Sequence, residues 1–244
     1  MIKEIRDLVF IDIDDKKSMV IACDSCGSIG DKPSDVFKVD PFITGKYTAR
    51  VAMLEVLSTG AEIKTIIDNV CCEMNPTGEK IIEGIKNELE ILNSKDIALT
   101  GSTEENFPTS MTALGITIIG IVDKEKLKVN NIKKEAQIYV VGIPKVGDEI
   151  KLPDDDEIFS YDNLKYLQSY DKVYEFVIGG SKGILYEAKE LAKSNKKDFY
   201  LKENLKVNIN KSCGPATACI VAIDKEIEHI MNNIKNAEKI GVIK

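Results

Sequence analysis

Histidine is almost missing from this chain, tryptophan is missing altogether, and no long apolar run occurs. The one histidine, His229, lies in a stretch of helical character near the C-terminal end, far from any glycine-rich loop. Ser-His-Asp and Cys-His mechanisms therefore have no base, and His229 reads as a surface helix position. Without about 18 consecutive apolar residues, no membrane-spanning helix is expected. The segment Met1–Asp7 lacks the apolar core of a signal peptide, so the expected location is cytoplasmic. A basic excess is also absent. Lys and Arg total 33 against 40 Asp and Glu, giving a formal net charge of −7. That balance argues against non-specific nucleic-acid binding. Cys23 and Cys26 form a lone C-x-x-C with no second pair at matching spacing, which excludes a standard structural zinc site. The six cysteines read as reduced, mostly buried thiols. Neither the Walker A pattern nor G-x-G-x-x-G occurs.

What remains is a 244-residue chain with 43 % hydrophobic and 30 % charged residues, enough to bury a core. Two halves are expected: residues 1–123, a polar connector over 124–135, and a smaller unit over 136–244. In the first half, residues 8–13 and 19–23 read as a hairpin around the turn 14–17. Residues 24–35 read as loop and 36–39 as a short strand. A helix over 45–59 is stopped by Gly60. A buried strand follows over 63–71, an amphipathic helix over 79–92, and strands over 97–100 and 111–122. This order predicts an α+β layer, a mixed sheet with helices on one face. In the second half, strands are expected over 136–143, 173–178, 205–208 and 218–223, and helices over 182–194 and 224–235, in an α/β arrangement. The acidic run Asp154–Glu157 reads as a solvated loop.

Three places break local rules. After the strand ending at Cys23 comes Asp24, then Gly27, Ser28 and Gly30, and finally Asp31. An acid at a strand end followed by small residues suits metal and phosphate, because glycine lets backbone N–H groups approach an anion; a plain turn fits the spacing equally. In the helix over 44–59, Ala49, Val51, Ala52, Met53, Leu54, Val56 and Leu57 surround one acid, Glu55, with Arg50 five residues before it. A buried carboxylate needs a partner, either a metal ion or the Arg50 guanidinium. The stretch Thr100–Phe107 places hydroxyls and the acids Glu104 and Glu105 between two apolar strands, which suits oxygen-liganded Mg²⁺ or a self-bonded turn. Acids, small loops and no usable histidine fit Mg²⁺-dependent phosphoryl transfer.

The helix over 45–61 with its acid before a small-residue turn resembles the aminoimidazole-ribotide-synthetase-like superfamily, which includes thiamine-monophosphate kinase and selenophosphate synthetase. Relatives carry Asp where Glu55 stands, and Asp24 matches the acid after their second strand. Gly101-Ser102-Thr103-Glu104 lies where relatives show Gly-Gly-Asp-Thr, so the acid is replaced at Thr103 or shifted to Glu104. Residues 21–30, 47–55, 100–107 and 179–183 are similar to the α-ribazole kinase branch of cobalamin biosynthesis. The resemblance implies a ferredoxin-like first domain that pairs with its twin in a barrel-forming homodimer, and a second domain closing over substrate. It implies ATP and Mg²⁺ as cofactors and phosphoryl transfer to the 5′-hydroxyl of α-ribazole or a similar nucleoside, with no nucleic-acid or membrane partner.

Under that resemblance Asp24, Glu55 and Glu104 are the metal ligands, and Gly27, Ser28, Gly30, Gly101, Ser102 and Thr103 hold the nucleotide. Lys182, which stands where thiamine-phosphate kinases carry Asp, either neutralises the transferring phosphoryl group or caps a helix in solvent. Asp31 and Asp40 are the candidate bases. The alternatives are another kinase or synthetase of the superfamily, thiamine-phosphate-kinase-like, or a non-catalytic nucleotide-binding regulator. Selenophosphate synthetase is disfavoured, since residues 1–22 hold neither Cys nor Gly.

Overall fold

A computed structural model describes residues 1–94 and 96–244. They divide into two compact units, Met1–Leu57 with Ala61–Val122, and Ser58–Gly60 with Asp123–Lys244. Among the described residues, no helix is long and apolar enough to cross a membrane.

The first unit begins with β1 (Ile2–Ile5), β2 (Leu8–Asp12) and β3 (Lys17–Gly27), then the short β4 (Ile29–Gly30) and β5 (Phe37–Lys38). Next come α1 (Pro41–Ser58), β6 (Glu62–Val70), α2 (Glu79–Glu90), β7 (Ala98–Thr103) and β8 (Ala113–Asp123). Six strands form one mixed sheet in the order β1-β2-β3-β8-β6-β7. The expected β2–β3 hairpin is present, and Asp14 Oδ1 closes its turn by accepting from Lys16 N and Lys17 N, both at 2.7 Å. Burial alternates along β3 and β8, so one face is covered: Val20, Ala22, Leu114, Ile116 and Ile118 lie on it with Ile66 and Val70 of β6. Such alternation is what a half-covered antiparallel strand requires.

Helix α1 begins at Pro41, four residues before the expected start, because Asp40 Oδ1 accepts from Phe42 N at 3.0 Å and proline suits the first helical position. It ends before Gly60, which has φ +87° as the stop requires. The stretch expected as loop over 24–35 is partly strand, since β3 runs on to Gly27. Strand β7 likewise extends to Thr103, so Gly101, Ser102 and Thr103 lie on an edge strand rather than in a loop.

The second unit holds β9 (Ala136–Val141), α3 (Tyr161–Gln168), β10 (Val173–Ile178), α4 (Ile184–Ser194), β11 (Phe199–Leu201), β12 (Cys219–Ile223) and β13 (Ala237–Ile243). Its sheet order is β10-β12-β9-β13-β11, and every pairing is antiparallel. This unit is therefore α+β too, not α/β. Residues 205–208 do not form the expected strand, and residues 224–235 form a 3₁₀ helix over Lys225–Asn233 in place of an α-helix. His229 is exposed on it, as expected. The acidic run is not simply solvated: Asp155 is buried against Lys145 Nζ at 2.7 Å, and Glu157 meets the same ammonium at 2.6 Å.

Candidate functional site

Asp24 and Glu55 are brought together. Asp24 sits on β3, on the face covered by the helices, and Glu55 projects from the last turns of α1 close enough to raise its proton affinity. Burial pushes the Asp24 carboxyl up to about 6, opposed by a hydrogen bond from the Ser25 backbone. Glu55 is held well above the usual carboxylate range, first by burial, then by the negative charges of Asp7 and Asp24, and by a hydrogen bond with Asp7. Asp7 is thus a third acid of the site. Its position in the two-residue turn between β1 and β2 carries no local signal that would mark it; only the pairing of that hairpin with β3 brings it to Glu55. The Arg50 guanidinium lies 3.7 Å from Glu88 of α2, and both of those side chains are buried.

Glu104 is placed elsewhere. It follows β7, three strands from β3, and its Oε1 accepts from Asn106 N at 2.6 Å and Phe107 N at 3.2 Å, closing its own turn. Thr103 is also engaged, donating to Glu105 Oε1 at 2.8 Å, which in turn takes Met74 N at 2.7 Å. The glycine loop serves structure as well as approach. Ser28 is in the left-handed region at φ 60°, and its N–H donates to Thr112 O at 2.9 Å, so that group is not free for a phosphate. At Gly30 a Cβ would fall 2.2 Å from Thr112 Oγ1, so glycine is needed there to seat the Asp35–Thr112 contact. Asp35 accepts from Thr112 N and Oγ1, both at 2.7 Å, and from Lys32 N at 2.8 Å; against the upward push of burial these bonds hold its carboxyl below the usual range. Gly27 alone faces open space.

Of the candidate bases, Asp40 caps α1 and pairs with Lys80 at 2.8 Å, which lowers its carboxyl, while Asp31 is exposed. Lys182, in the second unit, is exposed just before α4, its ammonium 4.4 Å over the Tyr186 ring and bonded to the Tyr186 hydroxyl at 3.2 Å. Cys23 and Cys26 point to opposite faces of β3: Cys23 Sγ lies 3.3 Å from Thr117 Oγ1, while Cys26 bonds Thr48 of α1. The pair does not meet. Only Cys72, Cys213 and Cys219 are buried, fewer than expected.

The carboxylates of Asp24, Glu55 and Asp7 are hard oxygen donors whose mutual repulsion a cation relieves, so they fit Mg²⁺. Among the described residues no group of three Asp, Glu, His or Cys side chains is arranged to wrap an ion alone. An ion here would complete its shell with water and ligand oxygens, as Mg²⁺ commonly does.

No protein-family model matches the sequence, and no curated protein matches it. Solved structures do. Thiamine-monophosphate kinase from Aquifex aeolicus superposes with a TM-score of 0.68 at 14 % identity, over 99 % of this chain and 90 % of that one. The Stenotrophomonas maltophilia enzyme gives 0.65 at 15 %, over 98 % and 89 %. This chain has their fold. Phosphoribosylformylglycinamidine synthase II from Thermotoga maritima gives 0.62 at 14 % identity, over 98 % of this chain but 37 % of that longer one. The structure "AaThiL complexed with AMPPCP and TMP" gives 0.66 at 13 %, over 98 % and 84 %.

Proposed function

We propose that the chain is a Mg²⁺- and ATP-dependent enzyme that transfers a phosphoryl group to a small molecule. The observation that carries this reading is the meeting of Asp24 with Glu55, two carboxyls that burial raises, the second also by the charge of the first, on a fold shared with a kinase solved with an ATP analogue and thiamine monophosphate. In this reading Asp24 and Glu55, with Asp7 beside them, hold Mg²⁺, which would draw charge from the nucleotide phosphates. Gly27 leaves room for a phosphate to approach the β3 end. No strong base is required when the transition state is loose, so the lack of a free Asp40 does not weigh against transfer.

The fold neighbours favour a thiamine-monophosphate-kinase-like enzyme. The 5′-hydroxyl of α-ribazole is the second acceptor we propose, supported by the residues over 100–107 and 179–183 and by the exposed Lys182, a base where thiamine-phosphate kinases carry an acid. A homodimer and a cytoplasmic location belong to the same reading. The deciding experiment gives purified protein Mg·ATP with thiamine monophosphate, α-ribazole and formylglycinamide ribotide separately, and reads product mass. A phosphorylated product identifies the acceptor. Nucleotide binding without turnover of any acceptor moves the assignment to a non-catalytic nucleotide-binding regulator.

A further inference from the structure

Asp68 lies on β6 between Ile66 and Val70, on the covered face of the first sheet, and is only 4 % exposed. Its carboxylate has no cation beside it among the described residues, and its own backbone N–H is the donor it accepts from. An ionised carboxylate so placed is unfavourable unless something neutralises it.

The neighbouring strand leaves a gap for it. In the parallel register Asp68 stands opposite Gly101 of β7. A Cβ at Gly101 would fall 2.3 Å from Asp68 Cγ, Oδ1 and main-chain O, so the carboxylate leans into the space that the glycine leaves. β7 is the sheet edge and Gly101 is exposed, so this notch opens to solvent. The nearby acids are engaged: Glu104 closes its own turn, and Glu105 takes Met74 N and Thr103 Oγ1.

Asp68 is also aligned with Asp24. Ser28 N donates to Thr112 O, and Cys23 Sγ touches Thr117 Oγ1; both fit one antiparallel register of β3 and β8 that puts Asp24 opposite Ile116. Ile116 is opposite Asp68. Asp24, Ile116, Asp68 and Gly101 therefore form one row across the sheet. Two strand spacings, about 10 Å, separate the two acids. Mg²⁺ holds oxygen at about 2.1 Å, so the two carboxylates do not share one ion.

We propose that Asp68 and the notch over Gly101 form a divalent-cation site separate from that of Asp24 and Glu55. Asp68 supplies the charge, while water or an incoming phosphate completes the shell. The site does not rest on the kinase reading, and its test uses metal alone. Mn²⁺ is titrated to millimolar concentration into the full chain without nucleotide, with free ion followed by electron paramagnetic resonance and backbone amides by NMR. The expected result is selective broadening of Gly101 and Ser102 amides in the wild type. Asp68→Asn and Gly101→Ala should each lose that broadening and one class of bound ion, while Asp24→Asn keeps both. Sharp 101–102 amides in the wild type overturn the proposal even if the variants fail to fold, as does an Asp68→Asn protein that binds as many ions as the wild type. A wild type that binds no second class of ion, with the Gly101 broadening intact, would overturn the first metal assignment and leave this one standing.

Discussion

Asp24 owes its proton affinity to its place under α1, and that makes its titration a stability term. Its carboxyl titrates near 6 in the folded chain against an ordinary 3.8. Between those values the folded state keeps a proton that the unfolded state releases, so stability is lost as pH rises from about 4 through 6. Asparagine does not titrate. In metal-free buffer, Asp24→Asn should therefore gain on the wild type over that window by up to roughly 3 kcal/mol, then run parallel to it. Above pH 6, added Mg²⁺ should raise the melting temperature of the wild type by more than that of the variant. Melting curves from pH 4 to 8 with and without Mg²⁺ check both arms, and curves that stay parallel throughout refute them. Asp24 and Glu55 were legible in sequence because each is an acid in an otherwise apolar or small-residue setting. Asp7 was not, since only tertiary pairing carries it to Glu55. Glu104 is ambiguous in sequence for a local reason: an acid after a strand looks the same whether it faces a ligand or, as its Oε1 does here, the next two N–H groups.

The helices of the first unit cross through glycine. A Cβ at Gly84 would fall 2.0 Å from Phe42 O, and one at Gly45 would fall 2.0 Å from Ile81 O. Backbone cannot yield as a side chain does, so Gly84→Ala must part α1 from α2. The expected cost is about 3 kcal/mol, at the upper end for overpacking, read as a lowered denaturation midpoint. The strain falls close to the buried Arg50–Glu88 pair, which joins the same two helices. An unchanged midpoint would mean the crossing is looser than these distances allow. Helix α2 was readable from its helical spacing, and strands β3, β6 and β8 from their apolar, β-branched runs; each buries one face. Strand β13 was not: Glu238, Lys239 and Gly241 interrupt its apolar pattern, and a register shift at 239/241 absorbs them. Helix α3 has eight residues, too short for a periodic signal, and rests on the Ser160–Asn163 capping box. β11 was missed for the same want of length, at three residues.

For the whole molecule, the first sheet raises a question that one chain does not answer by its own packing. Its covered face is closed by α1 and α2. The opposite face presents Val9, Ile11, Met19, Ile21, Ile67, Ile119 and Ile121, all half-buried. A contiguous apolar face of this kind favours a partner surface, and the proposed homodimer would use it by pairing two copies of one sheet, a self-complementary arrangement. Ile119 stands on β8, a central strand, so a charge there falls inside the interface. Sedimentation equilibrium should find a dimer of the 27.0 kDa chain, and Ile119→Lys should shift it to monomer while keeping the far-ultraviolet circular dichroism of the fold. Because its side chain faces away from the helices, the substitution leaves the Asp24–Glu55 surroundings intact. Mg²⁺-induced stabilisation that persists in the monomer would place the metal site within one chain, and its loss would mean that the second copy helps to shape it. A wild-type protein that sediments as a monomer would remove the dimer from the proposed function and leave the carboxylate site standing on its own.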